Sequence, residues 1–206
     1  MAILGRMQKK FLLLITAVMV FSQSIATAAE VEGPLKPHLE NPHMDLQQVF
    51  KSERFGNIVV SMKGTVIATW GKSYVRAKRS VDGGKTWGPE IVIAKPGFQP
   101  GGVTVNEANG DIIAFVEDRH PPAPIHVYVS SDDGKSWEKI PTKIMPDSKG
   151  NAPSMHMNEH GITLRHSKHK GRLIRPSRWY AGQNHSSKWP EHYTNAIYSD
   201  DGGKTW

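Results

Sequence analysis

Short runs of β-branched and aromatic residues alternate with turns rich in Gly, Asp and Ser along most of this chain. Runs of four to seven such residues between turn signals are typical of β-strands, whereas helix signals are nearly absent. The sequence therefore predicts an all-β fold. The predicted strands form three units: 57–61, 65–70, 74–79 and 90–94; then 102–106, 111–117, 125–130 and 138–140; then 161–165, 172–177 and 194–198.

One eight-residue phrase, Ser-x-Asp-x-Gly-x-(Ser/Thr)-Trp, occurs three times, each time after a predicted strand. Ser and Asp bond to nearby backbone amides, Gly adopts a positive φ and Trp covers the adjacent core, so the phrase predicts a hairpin turn. Its recurrence predicts a repeat architecture in which these residues are structural. The pattern residues are Ser80, Asp82, Gly84, Trp87, Ser130, Asp132, Gly134, Trp137, Ser199, Asp201, Gly203 and Trp206.

This phrase resembles the Asp box of sialidases and related β-propellers, and four antiparallel strands per unit is the pattern of a propeller blade. The resemblance implies a sialidase-like six-bladed β-propeller, of which about three blades are present. We expect these blades near residues 51–95, 98–142 and 153–206. Because a propeller ordinarily has about four to eight blades, we also expect the chain to be the N-terminal part of a longer protein.

Residues 1–28 have the pattern of a secretory signal: a basic start with Arg6, Lys9 and Lys10, an apolar run over 11–21, and a small-residue site that ends at Ala28. We expect an exported protein, secreted or periplasmic, with no membrane association after cleavage. A retained anchor is the alternative. Residues 29–50 contain several prolines and a weak hydrophobic pattern, and we interpret them as an extended lead-in segment.

The net charge of +7 falls to 7 − 3 = +4 without the three basic residues of the signal, because residues 1–28 contain no acid. This modest excess suits an anionic ligand, or is ordinary surface charge. The basic residues are scattered and carry no nucleic-acid motif, so a nucleic-acid partner is not expected. The chain has no cysteine, so an exported domain must be stable without disulfides.

Residues 53–64 resemble the phrase that opens the first sialidase blade, an aromatic-Arg-Ile-Pro followed by a Val-Val-Thr-x-Lys-Gly strand and turn. Arg54 aligns with one of the three arginines that hold the sialic acid carboxylate in that family. Its neighbours Glu53, Phe55 and Gly56 depart from the phrase, and a solvated arginine is the alternative. Residues 160–164, 171–176 and 196–201 resemble the third sialidase blade more closely.

Sialidases carry their acid/base aspartate in the loop between the second and third strands of the first blade, but residues 70–76 contain no acid. The corresponding loop of the second unit, 117–122, is rich in titratable groups. There Asp118 is the candidate catalytic carboxylate and Arg119 a candidate substrate contact, with a salt-bridged loop end as the equal alternative. Arg178, in the long third-unit loop, is a further candidate for substrate binding.

The resemblance implies an exo-α-sialidase-like glycoside hydrolase that releases terminal sialic acid or a related acidic sugar from sialylated or other acidic glycans. The alternative is a non-catalytic Asp-box propeller that binds glycan or protein. In the family the nucleophilic tyrosine, its glutamate and two further arginines come from later blades, so we expect residues up to Trp206 alone to be inactive. No cofactor or metal is expected, and the sequence does not indicate an oligomeric state.

The segment 29–206, expressed alone, is expected to be aggregated or molten, because three open blades leave their flanks and strand edges bare. Thermal melting combined with sedimentation tests this prediction. A sharp cooperative melt from a soluble monomer would contradict it, whereas a domain-swapped dimer would be recognised by its sedimentation.

Overall fold

Three antiparallel sheets make up the computed structural model, which describes residues 46–51, 55–98, 101–156, 159–181 and 191–206. Residues Gln47–Trp206 form one compact unit. The predicted signal, most of the lead-in and Arg54 lie outside the described residues. Each sheet is an up-and-down meander, and the described part of the chain has no helix with the length and hydrophobicity needed to cross a bilayer. The all-β blade architecture is therefore confirmed.

The first sheet contains β1 (Asn57–Val60), β2 (Val66–Gly71), β3 (Val75–Ser80) and β4 (Ile91–Ala94), in that order. The second contains β5 (Thr104–Val105), β6 (Ile112–Glu117), β7 (Ile125–Ser130) and β8 (Glu138–Ile140). The third contains β9 (Ile162–Thr163), β10 (Leu173–Trp179) and β11 (Tyr193–Ser199). The first strands of the sheets are neighbours, since β5 contacts both β1 and β9. We call the sheets blades 1, 2 and 3.

The core lies between the blades rather than within one sheet. All six residues of β6 are buried, because the two faces of blade 2 are covered by blades 1 and 3. Ile112, Ala114 and Val116 pack into the layer between blades 1 and 2. Ile113 and Phe115 pack into the layer between blades 2 and 3. A strand that is covered on both faces has a continuous run of apolar residues and not an alternation of apolar and polar residues.

The three Asp boxes share one hydrogen-bond pattern. In the first, Ser80 Oγ donates to Asp82 at 2.7 Å and accepts from Gly84 N at 2.8 Å, while Asp82 also accepts from Thr86 N at 2.9 Å. The corresponding bonds form in the other two boxes. The bond from Ser80, followed by those from Thr86, holds the pKa of Asp82 well below its usual range. These aspartates are engaged in the turn, as their structural interpretation requires.

The second and third boxes each dock onto the preceding blade. A Cβ built at Gly134 would lie 2.9 Å from Ile67 Cδ1, and one at Gly203 would lie 2.8 Å from Ile113 Cδ1. Both glycines also have positive φ, 81° and 99°, so their lack of a side chain serves the turn and the blade contact at once. The chain around Trp206 continues this contact by pairing with Lys143 of blade 2.

The Trp residues of the boxes differ in burial. Trp206 is 7% exposed and meets Phe115 edge to face at 5.0 Å, whereas Trp137 and Trp87 are half-buried. Trp137 packs against the core between blades 1 and 2, and Trp87 donates to Gln47 at 3.1 Å. The expectation that each Trp covers a core therefore fits Trp206 best and Trp87 least, because no described blade faces the first box.

Asp133 replaces the glycine of the other two boxes and joins blade 2 to blade 1. Its carboxylate accepts from Ser61, from Thr65 at 2.6 Å and from Arg79 at 2.7 Å. Burial opposes its ionisation, but these hydroxyl bonds and Arg79 outweigh burial and lower the pKa of Asp133. Since Asp133 has φ 68°, glycine fits the same backbone and isolates the role of the side chain.

Asp133→Gly is expected to lower the free energy of unfolding by about 2–4 kcal/mol at pH 7, because it removes the carboxylate partner of the half-buried Arg79 and the acceptor of the Ser61 and Thr65 hydroxyls. A lowered folded-state pKa stabilises above the unfolded-state pKa, so the loss should shrink as the pH falls below about 4. Denaturant titration measures both effects. The pair of Arg172 with Asp200, whose side chain is 57% exposed, is the control, and Asp200→Ala should destabilise the protein much less than Asp133→Gly does. Equal costs for the two variants would contradict the blade-joining role of Asp133.

Candidate functional site

Antiparallel order places the Asp boxes and the β1–β2 and β5–β6 turns at one end of the blades. The starts of β1 and β5 and the β2–β3, β6–β7 and β10–β11 connections lie at the other end. We call this second end the rim. Aromatic, His, Arg and Glu side chains from all three blades meet there, and they form the candidate site.

The predicted residues Asp118 and Arg119 lie at the rim but bind each other. Arg119 Nη1 is 3.1 Å from Asp118 Oδ1, and the Arg119 side chain is 64% exposed. The structure therefore has the ion-paired loop end that was the alternative for this dipeptide. The predicted Arg54 lies outside the described residues.

Glu117, one position before Asp118, points the opposite way into the layer between blades 2 and 3. It is 2% exposed, and burial raises the pKa of its carboxyl to about 7. Bonds from the Ser154 side chain and the Met155 amide, and the charges of Arg175 and Arg178, oppose this rise. Its Oε1 has no hydrogen-bond partner among the described residues. Glu117 is therefore a carboxyl group that titrates near neutral pH instead of near its usual pKa.

Two arginines of β10 stand beside Glu117. Arg175 is 1% exposed, its Cζ lies 4.5 Å over the Phe115 ring, and its contacts to backbone oxygens are long, at 3.5 Å. Burial lowers the pKa of Arg175 to about 9, against the attraction of Glu117, so it remains cationic at pH 7. Arg178 is half-buried 5.8 Å over the Tyr180 ring, and its buried Nε has no partner among the described residues.

Aromatic rings from successive connections cover the rim beside these charges. His156 contacts Phe55, Phe98, His120 and Tyr180 at centroid distances of 5.9, 5.3, 5.2 and 5.7 Å. His120 also meets Phe98 at 5.5 Å and Tyr180 at 5.2 Å. We call these five residues the ring cluster. An aromatic surface next to unsatisfied guanidinium donors can bind the apolar face and the anionic group of one ligand together.

The β2–β3 loop carries a different arrangement. Arg76 Cζ lies 4.2 Å over the Tyr74 ring, and its Nη1 is 3.0 Å from the Tyr74 hydroxyl and 3.3 Å from Glu90. No acidic side chain belongs to residues 71–75.

Sequence reasoning selected Arg178 but missed Glu117, Arg175 and the pairing of His120 with Tyr180. Alternation along β6 could have indicated Glu117, because an acid in phase with the buried Ile113 and Phe115 is expected to point inward. No local signal indicates the ring cluster, which assembles residues far apart in the chain. The described residues contain no group of three or more His, Asp or Glu side chains able to hold a metal ion.

Comparisons with known proteins agree with this architecture. The BNR/Asp-box repeat profile matches residues 197–206, the third box. A curated sialidase of Micromonospora viridifaciens is 29% identical over 178 residues, which cover 73% of this chain and 26% of that protein. The chain thus spans about a quarter of the curated relative it matches. The resemblance to sialidases and to Asp-box repeats is confirmed.

Among solved structures, a Hadza microbial sialidase matches 74% of this chain and 36% of its own, with a TM-score of 0.56 and 19% identity. A GH43 β-1,3-galactosidase in complex with galactodeoxynojirimycin matches 75% of this chain and 45% of its own, with a TM-score of 0.53 and 11% identity. At these identities the two structures show the shared propeller fold and do not decide between substrates.

Glu117 is expected to make the protein less stable as the pH rises from about 4.5 to 7. A carboxyl with a raised folded-state pKa stabilises below its unfolded-state pKa, and this contribution is lost as the pH passes the folded-state value. The loss should be on the order of 3 kcal/mol and absent in Glu117→Gln, as measured by denaturant titration at several pH values. Glu107→Gln, at the opposite end and paired with Arg165, should retain the wild-type slope over this window. Parallel curves for wild type and Glu117→Gln would contradict the buried-acid assignment.

Proposed function

We propose that the protein is a glycoside hydrolase that releases a terminal acidic sugar, with sialic acid as the reference substrate, from glycans outside the cytoplasm. The observation that carries the proposal is the position of Arg178, whose half-buried guanidinium lies beside the ring cluster, 5.8 Å over the Tyr180 ring. The similarity to a curated sialidase over 73% of the chain supports the reaction class.

A carboxylate is the ligand group that this arrangement fits best. The guanidinium of Arg178 presents planar, permanently charged donors that match two carboxylate oxygens. Arg175 adds a second positive charge from within the same layer, although its burial keeps it from direct contact. Tyr180, half-buried at the rim, adds an aromatic side chain beside this charge. Arg54, which precedes β1 in the sequence, is the second proposed carboxylate contact.

A non-catalytic glycan-binding propeller is the second candidate function. It is favoured by the β2–β3 loop, where sialidases carry an acid and this chain has Lys72, Ser73 and Tyr74. The two candidates share the carboxylate site and differ in whether bond cleavage follows binding. Hydrolysis needs only water as the co-reactant, so the proposal requires no cofactor. A panel of sialosides, uronides and neutral glycosides, assayed for both binding and release, separates the two.

Arg178→Ala is expected to weaken binding of free sialic acid by more than about 2 kcal/mol, or about 30-fold in Kd, and to bring it close to that of the neutral carboxamide analogue. Arg178→Lys should recover part of the loss, because an ammonium group lacks the planar fork. Arg54→Ala and Arg54→Lys should follow the same order. Calorimetric titration of acid and amide with each variant makes the test.

Arg165→Lys is the matched control, because Arg165 lies at the opposite end and pairs with Glu107 at 2.8 Å. Its affinities should equal those of the wild type. If Arg178→Ala still prefers the acid over the amide as strongly as the wild type does, Arg178 is not the carboxylate contact. If the wild type shows no preference for acidic sugars, the substrate class itself is wrong.

A further inference from the structure

His120 has a defined protonation geometry at the rim. Its Nδ1 lies 2.8 Å from the Pro121 carbonyl oxygen. A carbonyl oxygen can only accept, so Nδ1 carries the hydrogen and donates it. In the neutral ring the lone pair is therefore on Nε2, and in the imidazolium Nε2 carries the transferable proton. A histidine fixed in this way is prepared for proton transfer at a single atom.

The rings around His120 hold it in place. Tyr180 meets it edge to face at 5.2 Å with an interplanar angle of 88°, and Phe98 does so at 5.5 Å with 64°. His156 packs at 5.2 Å on a further side. The ring remains half-buried rather than enclosed, so it is accessible from the rim. Its ring partners Phe98, His156 and Tyr180 come from the β4–β5, β8–β9 and β10–β11 connections, respectively.

We propose that His120 is the proton-transfer residue of this site and takes the place of the acid that the first-blade loop lacks. This inference rests on the proposed glycoside hydrolase function. The Nε2 proton passes to the glycosidic oxygen while the bond from the sugar carbon to that oxygen breaks, and the bonding electron pair stays on the oxygen. Water then supplies the hydroxyl group to the sugar carbon, and its remaining proton restores the imidazolium.

Two neighbouring acids are less suited to this step. Asp118 is paired with Arg119, and its carboxylate would have to leave that partner to act as an acid. Glu117 is 2% exposed, and its free Oε1 is buried between the blades. His120 alone among these three combines a fixed tautomer with a position at the accessible surface of the ring cluster.

Leaving-group dependence tests the proposal in the complete protein. Protonation of the glycosidic oxygen is important for a natural glycan, because an alcohol is a poor leaving group. It has little effect for a 4-nitrophenyl glycoside, because the nitrophenol is a good leaving group. His120→Asn keeps an amide that can donate to Pro121 but cannot transfer a proton. We expect its kcat to fall about 10²–10⁴-fold on the glycan and less than about tenfold on the aryl glycoside, with KM nearly unchanged.

His166→Asn is the matched control, since His166 is exposed in the hairpin at the opposite end, and it should behave as wild type. Imidazole added to His120→Gly should restore part of the activity on the glycan. Nitrogen-15 NMR of the wild type should show the Nδ1-protonated tautomer of His120, and this measurement does not depend on any variant folding.

The outcomes separate the two proposals. If the wild type cleaves acidic glycosides but His120→Asn loses activity equally on both substrates, or retains it on both, the role of His120 is wrong and the proposed function stands. An Nε2-protonated His120 in the wild type also overturns the role. If the wild type cleaves no acidic glycoside, the proposed function fails and the assignment of His120 fails with it.

Discussion

The contact between each Asp box and the blade before it is the interaction on which the rest of the structure depends. Single sheets of this size have two apolar faces and are stable only when both are covered, as the wholly buried β6 shows. Gly134 and Gly203 let the turn backbone approach the preceding blade, and Asp133 and Trp206 add an ion pair and an aromatic contact to those approaches. The boxes therefore set the angle between blades, and through it the relative positions of the loops at the far end.

Near those loops, β6 and β10 bury two ionisable side chains between blades 2 and 3. Burying Glu117 and Arg175 between two blades costs desolvation energy that opposes their mutual attraction, and Glu117 Oε1 and Arg175 Nη1 have no hydrogen-bond partner among the described residues. Such features in a native structure are most often found where a ligand is bound or a proton is held. Their position at the rim, next to an aromatic surface, is the basis for the proposed acidic-sugar function.

Local pattern explains what could be predicted. The strands and the boxes follow from short-range chemistry, and the observed β2, β6 and β7 lie within a residue or so of the predicted segments. Arg178 was predicted to lie in the long third-unit loop, but β10 extends to Trp179 and includes it, and its role in substrate binding stays a prediction. Asp118 was selected because it is acidic and follows a strand, but a strand alternates its side chains, so Glu117 points into the layer and Asp118 toward Arg119. The burial of Trp87 was overestimated for a related reason, since burial depends on which blade faces the box.

The sequence by itself determined the strands, the hairpin turns, the number of blade units and the resemblance of the three boxes to sialidase Asp boxes. These features depend on residues within a few positions of one another. Only the tertiary structure decided which side chains share an environment. The raised pKa of Glu117, the unsatisfied donor of Arg178 and the ring contacts of His120 arise from residues brought together by blade packing. Electrostatics and desolvation act through space, over distances that the order of residues along the chain does not specify.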